Sequence, residues 1–231
     1  MRKIMFSGLI IFLVFFIGAT VCWFTFEKQN YEETKINKSY PNSNFKNISI
    51  NTEYTNVKVV KGSKFKVKYN GDNKVNLVNK NKTLKISEVK NVDRGYAINL
   101  NPFRKDDNQI VIEVPNIKLN ELKGYSKNSS YYIKNINSKN MNLINYSNPI
   151  TLNSVNVENS DVNSYATHFN INNSILKNAN FNIEKGFISV SKSDISNSIF
   201  LLGSGNISFN KMSPRNDIKA STKKRRYLLL L

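Results

Sequence analysis

The chemistry open to this chain is set by which reactive side chains it carries and how they are spaced. His168 is the only histidine in 231 residues, so a general base or an imidazole metal ligand would have to be built around it. At intervals of nineteen residues its column continues as Ser130, Pro149, Phe187 and Asn206, with no carboxylate or cysteine at a matching position. A surface histidine is expected. The six acidic residues between 112 and 212 are spread out, without the clustering that calcium sites or paired-carboxylate chemistry require. Gly203, Ser204 and Gly205 read as a turn, because no helix follows to present a phosphate site. No catalytic residue, cofactor or metal ligand is expected, and the chain reads as a non-enzyme.

Two groups of residues could bind without reacting. Lys64, Lys66 and Lys68 alternate with Phe65, Val67 and Tyr69; in a strand, burying the apolar set puts all three ammonium groups on the opposite face. They would lie within about 14 Å of one another and repel unless counterions or a polyanion cover them. These three are the candidate polyanion-binding residues, with a solvated lysine-rich face as the alternative. The second group is the column Asn140, Asn159, Asn178, Asn197 and Asn216. The chain holds 39 asparagines, yet five in one of nineteen columns exceeds what that abundance produces by chance. Stacked asparagines can hydrogen-bond from repeat to repeat, as in cross-β ladders, so a structural ladder is expected. An exposed row reading a repetitive ligand is the alternative.

The element holding the asparagines follows from the same period. Between Ile112 and Asn216 the sequence repeats every nineteen residues. One column reads Ile112, Tyr131, Ile150, Phe169, Ile188, Ile207, and the column two residues on reads Val114, Ile133, Leu152, Ile171, Val190, Phe209. Two more are apolar in most repeats: Leu143, Val162, Phe181, Phe200, and Leu119, Val157, Leu176, Ile195. Such a period indicates a solenoid, because one repeat cannot bury its apolar face alone and stacked copies can. Ile150 and Leu152, or Ile188 and Val190, flank single polar residues, which is the spacing of a half-buried strand. Gly186 and Gly205 share a column, and Asn, Ser and Asp fill most others, as turns between short strands require.

The rest of the chain divides by composition. Residues 1–3 form a short cytoplasmic end, and residues 4–26 an uncharged run long enough to cross a bilayer as a helix. Arg2 and Lys3 precede it, while Glu27, Lys28, Glu32 and Glu33 follow, so the positive-inside rule puts the N-terminus inside and the body outside. The run exceeds the roughly 7–15 apolar residues of a cleaved signal peptide and has a poor cleavage site; a retained anchor is expected, with cleavage as the alternative. Val21 is not the small residue that a lipoprotein site at Cys22 would need. With a single cysteine, no intramolecular disulfide can form.

Residues 27–46 carry mixed charge, Pro41 and no apolar periodicity, and are expected to be a linker. In a membrane-proximal β region over 47–111, five strands are marked by Ile48 and Ile50, Val57 and Val59, Phe65 to Tyr69, Val75 and Leu77, and Leu84 and Ile86. A less regular stretch runs from Lys90 to Asn108. The β-solenoid is assigned to 112–222. A basic and apolar tail over 223–231 would discourage further strand pairing at the open end.

The expected fold class is therefore all-β: a single-pass N-terminal transmembrane helix, then a β-rich region and a β-solenoid of about 19 residues per coil. The formal net charge is +18, with 17 basic against 9 acidic residues in 27–111 but only 9 against 6 in 112–212. Basicity thus concentrates beside the membrane and at the far tip, where it could meet anionic wall polymers or lipid headgroups. Nucleic acid is not an expected partner outside the cell.

The run ISINTEYTNVKVVKGSKFKVKYNG from Ile48, then TLKIS, IVIEVPN and coils of the form GNISF, resembles the putative-adhesin family of bacterial envelope proteins. The resemblance spans residues 48–220, implies a β-solenoid at the envelope and transfers no functional residue. The expected function is a membrane-anchored extracellular β-solenoid acting as an envelope binding or adhesion module. The alternative is an accessory or sensory subunit of an envelope-stress system. Expected partners are the membrane, crossed once, and either an anionic wall polymer or a membrane partner protein.

Overall fold

A computed structural model describes residues 2–22, 24–25, 34–71, 73–89, 108–212, 217–224 and 227–229. The uncharged run forms α1 (Arg2–Cys22), whose side chains from Ile4 to Cys22 are all exposed. By length and composition α1 is long and apolar enough to cross a membrane, as an anchor or a signal sequence would be. The Thr20 hydroxyl donates to the Phe16 carbonyl oxygen at 2.7 Å, which satisfies it inside the helix.

Period-2 patterning makes the described elements after α1 strands, eighteen in one hydrogen-bonded system. One face runs β5 (Lys74–Lys80), β6 (Thr83–Val89), β2 (Asn47–Thr52), β8 (Lys118–Ser126) and β10 (Asn137–Asn145). It continues through the first parts of β12 (Asn156–Asn172), β14 (Ala179–Ser191) and β16 (Ser198–Asn210) to β17 (Ile218–Lys224). A second face runs β1 (Thr34–Tyr40), β4 (Phe65–Gly71), β7 (Gln109–Val114), β3 (Asn56–Lys61), β9 (Tyr131–Lys134) and β11 (Ile150–Asn153). It continues through the second parts of β12, β14 and β16 to β18 (Tyr227–Leu229). Short strands β13 (Ile175–Lys177) and β15 (Asp194–Ser196) extend a third face from the start of β12.

Parallel pairing at a register of nineteen stacks the apolar columns into one core. Leu143, Val162, Phe181 and Phe200 are fully buried, as are Ile150, Phe169 and Ile188. Phe181 stacks on Phe200 with centroids 4.7 Å apart, and Phe169 meets Phe181 at 5.0 Å. The turns repeat as well: Asn135, Ser154, Asn173, Lys192 and Lys211 all have φ between 48° and 57°. Gly203, Ser204 and Gly205 lie inside β16, where the long strands bend, and do not form a separate turn. At the bend Gly186 and Gly205 have φ of 138° and 133°, and a Cβ on Gly186 would stand 1.8 Å from the Thr167 carbonyl oxygen. Only glycine fits there.

The structure corrects four expectations. The linker over 27–46 contains β1, antiparallel to β4, and Phe45 is 1% exposed between Tyr40 and Phe65. Its alternation was hidden because Lys38 shares a face with Ile36 and Tyr40, where its ammonium lies 5.4 Å from the Tyr40 ring. The boundary at 111 is no break, because β3 lies between β7 and β9. Ile112 therefore aligns, through Val59, with Ile133 and not with Tyr131. The tail over 223–231 continues the stack: β17 reaches Lys224, and β18 pairs Tyr227 with Ile207. There the register becomes twenty, with Ser198 opposite Ile218. The five strands expected between Ile48 and Val89 form as β2 to β6. Residues 27–33 of the expected linker, 90–107, 225–226, 230–231 and Asn216 lie outside the described residues.

Candidate functional site

β4 is a central strand because Phe65, Val67 and Tyr69 are 2%, 0% and 3% exposed, and that burial turns Lys66 and Lys68 outward. Lys64 stands just before the strand, exposed. β4 lies beside β7, where Lys66 faces Glu113 and Lys68 faces Val111. The Lys68 ammonium bonds the Glu113 carboxylate at 2.6 Å, with both side chains partly open to solvent. An exposed pair of this kind contributes about 0–1 kcal/mol, but it compensates one of the three charges.

The patch is wider than its sequence motif. Following the ladder from Lys68 through Val111 leads to Lys58 on β3 and Tyr132 on β9. Lys58 sits over that ring at 5.9 Å, a cation–π contact. The next row runs Lys66, Glu113, Val60, Lys134. Among the described residues, Lys64, Lys66, Lys68, Lys58 and Lys134 thus share one face with a single carboxylate, Glu113. Lys58 and Lys134 were not singled out because only the insertion of β3 between β7 and β9 brings them near β4.

Asn140 and Asn159 are paired in register on β10 and β12. The Asn159 side-chain amide donates to Asn140 Oδ1 at 3.0 Å, and that of Asn178 to Asn159 Oδ1 at 3.2 Å. Asn140 donates to the Asn120 carbonyl oxygen at 3.2 Å. Asn178 and Asn197 also adopt left-handed φ of 47° and 48°, a conformation asparagine tolerates better than most residues. Beside this column Lys118 bonds Glu158 across two coils, and that hydrogen bond, more than the surrounding charge, holds the Glu158 carboxyl below its ordinary value.

His168 is exposed on β12 and meets Phe187 edge-on at 5.1 Å. Among the described residues no three His, Cys, Asp or Glu side chains converge as metal ligands would. Glu88, which sequence spacing did not mark, has a structural role. One of its oxygens accepts the backbone N–H groups of Glu53, Tyr54 and Thr55 at 2.7, 3.0 and 3.1 Å, while the other accepts the Asn73 amide at 2.6 Å. It ties the β2–β3 turn to the approach to β5.

The architecture is that of an all-β solenoid preceded by an apolar helix. The Toastrack DUF4097 family profile matches residues 45–224, and the chain belongs to that family. No curated protein matches the sequence. Several solved structures are similar at low identity, among them the three that follow. A putative cell adhesion protein from Clostridium sporogenes is 11% identical over 83% of this chain and 100% of its own, with a TM-score of 0.40. Putative adhesins from Parabacteroides distasonis (12%, 85% and 97%, TM-score 0.34) and Bacteroides fragilis (13%, 83% and 99%, TM-score 0.30) align over similar spans.

Proposed function

We propose that this protein is a membrane-anchored exterior binding module of the adhesion type, with α1 in the bilayer, the N-terminus inside and the lysine face directed at an anionic wall polymer. The observation that carries the reading is the joined patch across β4, β7, β3 and β9, where, among the described residues, five lysines share a face with one carboxylate. A phosphate-bearing polymer would relieve their mutual repulsion, and screening by salt would weaken its binding. The unpartnered apolar surface of α1 supports anchoring.

The test is retention of the full chain, in neutral detergent, on purified anionic wall polymer. Retention is expected at low salt, with loss at high salt and in the variant carrying Lys64→Gln, Lys66→Gln and Lys68→Gln. Wild type that is not retained at low salt, or a variant retained equally, rejects the lysine face. Orientation is read separately, by adding protease to cells with a permeabilised wall. Degradation of the body is expected, and protection of residues 27–231 reverses the topology.

A further inference from the structure

Where β12, β14 and β16 bend, their outer side leaves a cleft of about 900 Å³, within the size range of small-ligand sites. Its lining shares no residue with the lysine patch. Tyr146 and Tyr165, nineteen residues apart, stand 52% and 49% exposed in it. Asn163 and Asn182 are paired in register one coil apart, with Leu201 next in the same row. The charges present are of both signs, Glu184 against Lys185 and Lys223. Lys185 is held in place, its ammonium 3.2 Å from the Tyr165 hydroxyl and 5.1 Å from the ring centroid.

We infer that this cleft binds an extended, uncharged glycan whose pyranose rings lie along the solenoid axis, one to a coil. Tyr146, half exposed, offers a flat apolar face beside a polar rim, which matches a sugar ring with C–H groups on one face and hydroxyls around its edge. Tyr165, with the Lys185 ammonium over its ring, adds its hydroxyl and that donor at the sugar's edge. The Asn182 amide supplies both donors and an acceptor to such hydroxyls, while Asn163, one of whose amide hydrogens goes to Asp161 Oδ1 at 3.0 Å, keeps its second hydrogen and its oxygen for them. Coils repeat at about 4.8 Å, close to the rise of one pyranose unit in an extended chain, so equivalent side chains recur at the ligand's own pitch. Mixed charge gives no strong field of one sign, which suits a neutral ligand. Added peptide strands find no edge here, because β12 and β14 are paired on both sides and β16 is paired with β14 and β17.

The inference does not rest on the lysine face, and the two fail separately. The full chain, in a polyoxyethylene detergent free of sugar headgroups, is titrated calorimetrically with cellotetraose and with tetra-N-acetylchitotetraose. Saturable binding of at least one tetramer is expected, unchanged between low and high salt. The double variant Tyr146→Ala, Tyr165→Ala should weaken it about tenfold or more, whereas Tyr54→Ala, somewhat more exposed and outside the cleft, should not. Asn182→Ala, on an exposed side chain, gives the same readout if the double variant unfolds. No binding of either tetramer at millimolar concentration overturns the proposal. So does equal binding by the cleft variants, or loss of binding in the triple lysine variant while the tyrosine variant still binds.

Discussion

Phe169 lies fully buried between coils and against Phe181, so its truncation measures what one column position contributes. Phe169→Ala is expected to cost about 3–5 kcal/mol in denaturant unfolding, whereas Lys139→Ala, on an exposed polar position, should stay within about 0.5 kcal/mol. Equal effects would mean that the register is wrong. Gly186→Ala forces a side chain into a backbone oxygen at a left-handed φ and should destabilise by about 1–3 kcal/mol from strain alone. Glu158 tests electrostatics. Its folded pKa lies below the ordinary 4.5, so whatever its pair with Lys118 contributes is present above 4.5 and disappears as pH falls through the lowered folded value. An NMR titration should find the Glu158 midpoint below 4.5, and Lys118→Ala should return it towards that value.

At the level of elements, β1 and the segment after it decide whether the region before Ile48 is structural. Phe45→Ala should cost about 3–5 kcal/mol, as for any core aromatic; an unchanged midpoint would return residues 34–46 to a linker. The solenoid strands were readable in the sequence because each contributes apolar pairs flanking one residue and each repeats at nineteen, as with Ile150 and Leu152 below Phe169 and Ile171. β1 was not, since Lys38 interrupts its apolar face. The position of β3 was also hidden: its Val57 and Val59 mark a strand, but nothing local says that it pairs with both β7 and β9. The lysine motif was visible at Lys64 to Lys68, while Lys58, Lys134 and the compensating Glu113 required the three-dimensional pairing. Lys192 and Lys211 occupy left-handed turns that their residue type would not suggest. The cleft went unseen because Tyr146 and Tyr165 look like ordinary strand residues until the bend exposes them.

Over the whole molecule, the interleaving of β3 means that the coils cannot all add in chain order, since Val57 must meet Tyr131 before the N-terminal end closes. Coupling of distant segments makes that end a cooperative unit, whereas β18 pairs, among the described residues, on one side only, with β16. Hydrogen exchange should therefore show β9 and β11 protected near the global limit and the β18 amides exchanging fastest. Uniform protection along the rod would contradict this.

The constant register from β8 to β16 has one more consequence. Every copy of a position lies nineteen residues beyond the last, so the rod is a ruler graduated in coils. Tandem duplication of residues 156–174 would lengthen it by one graduation, about 4.8 Å, with each apolar column, turn and cleft position copied intact. A single residue inserted inside a strand would instead turn every following side chain in it to the wrong face. The reach of such a protein can change between relatives only in whole steps.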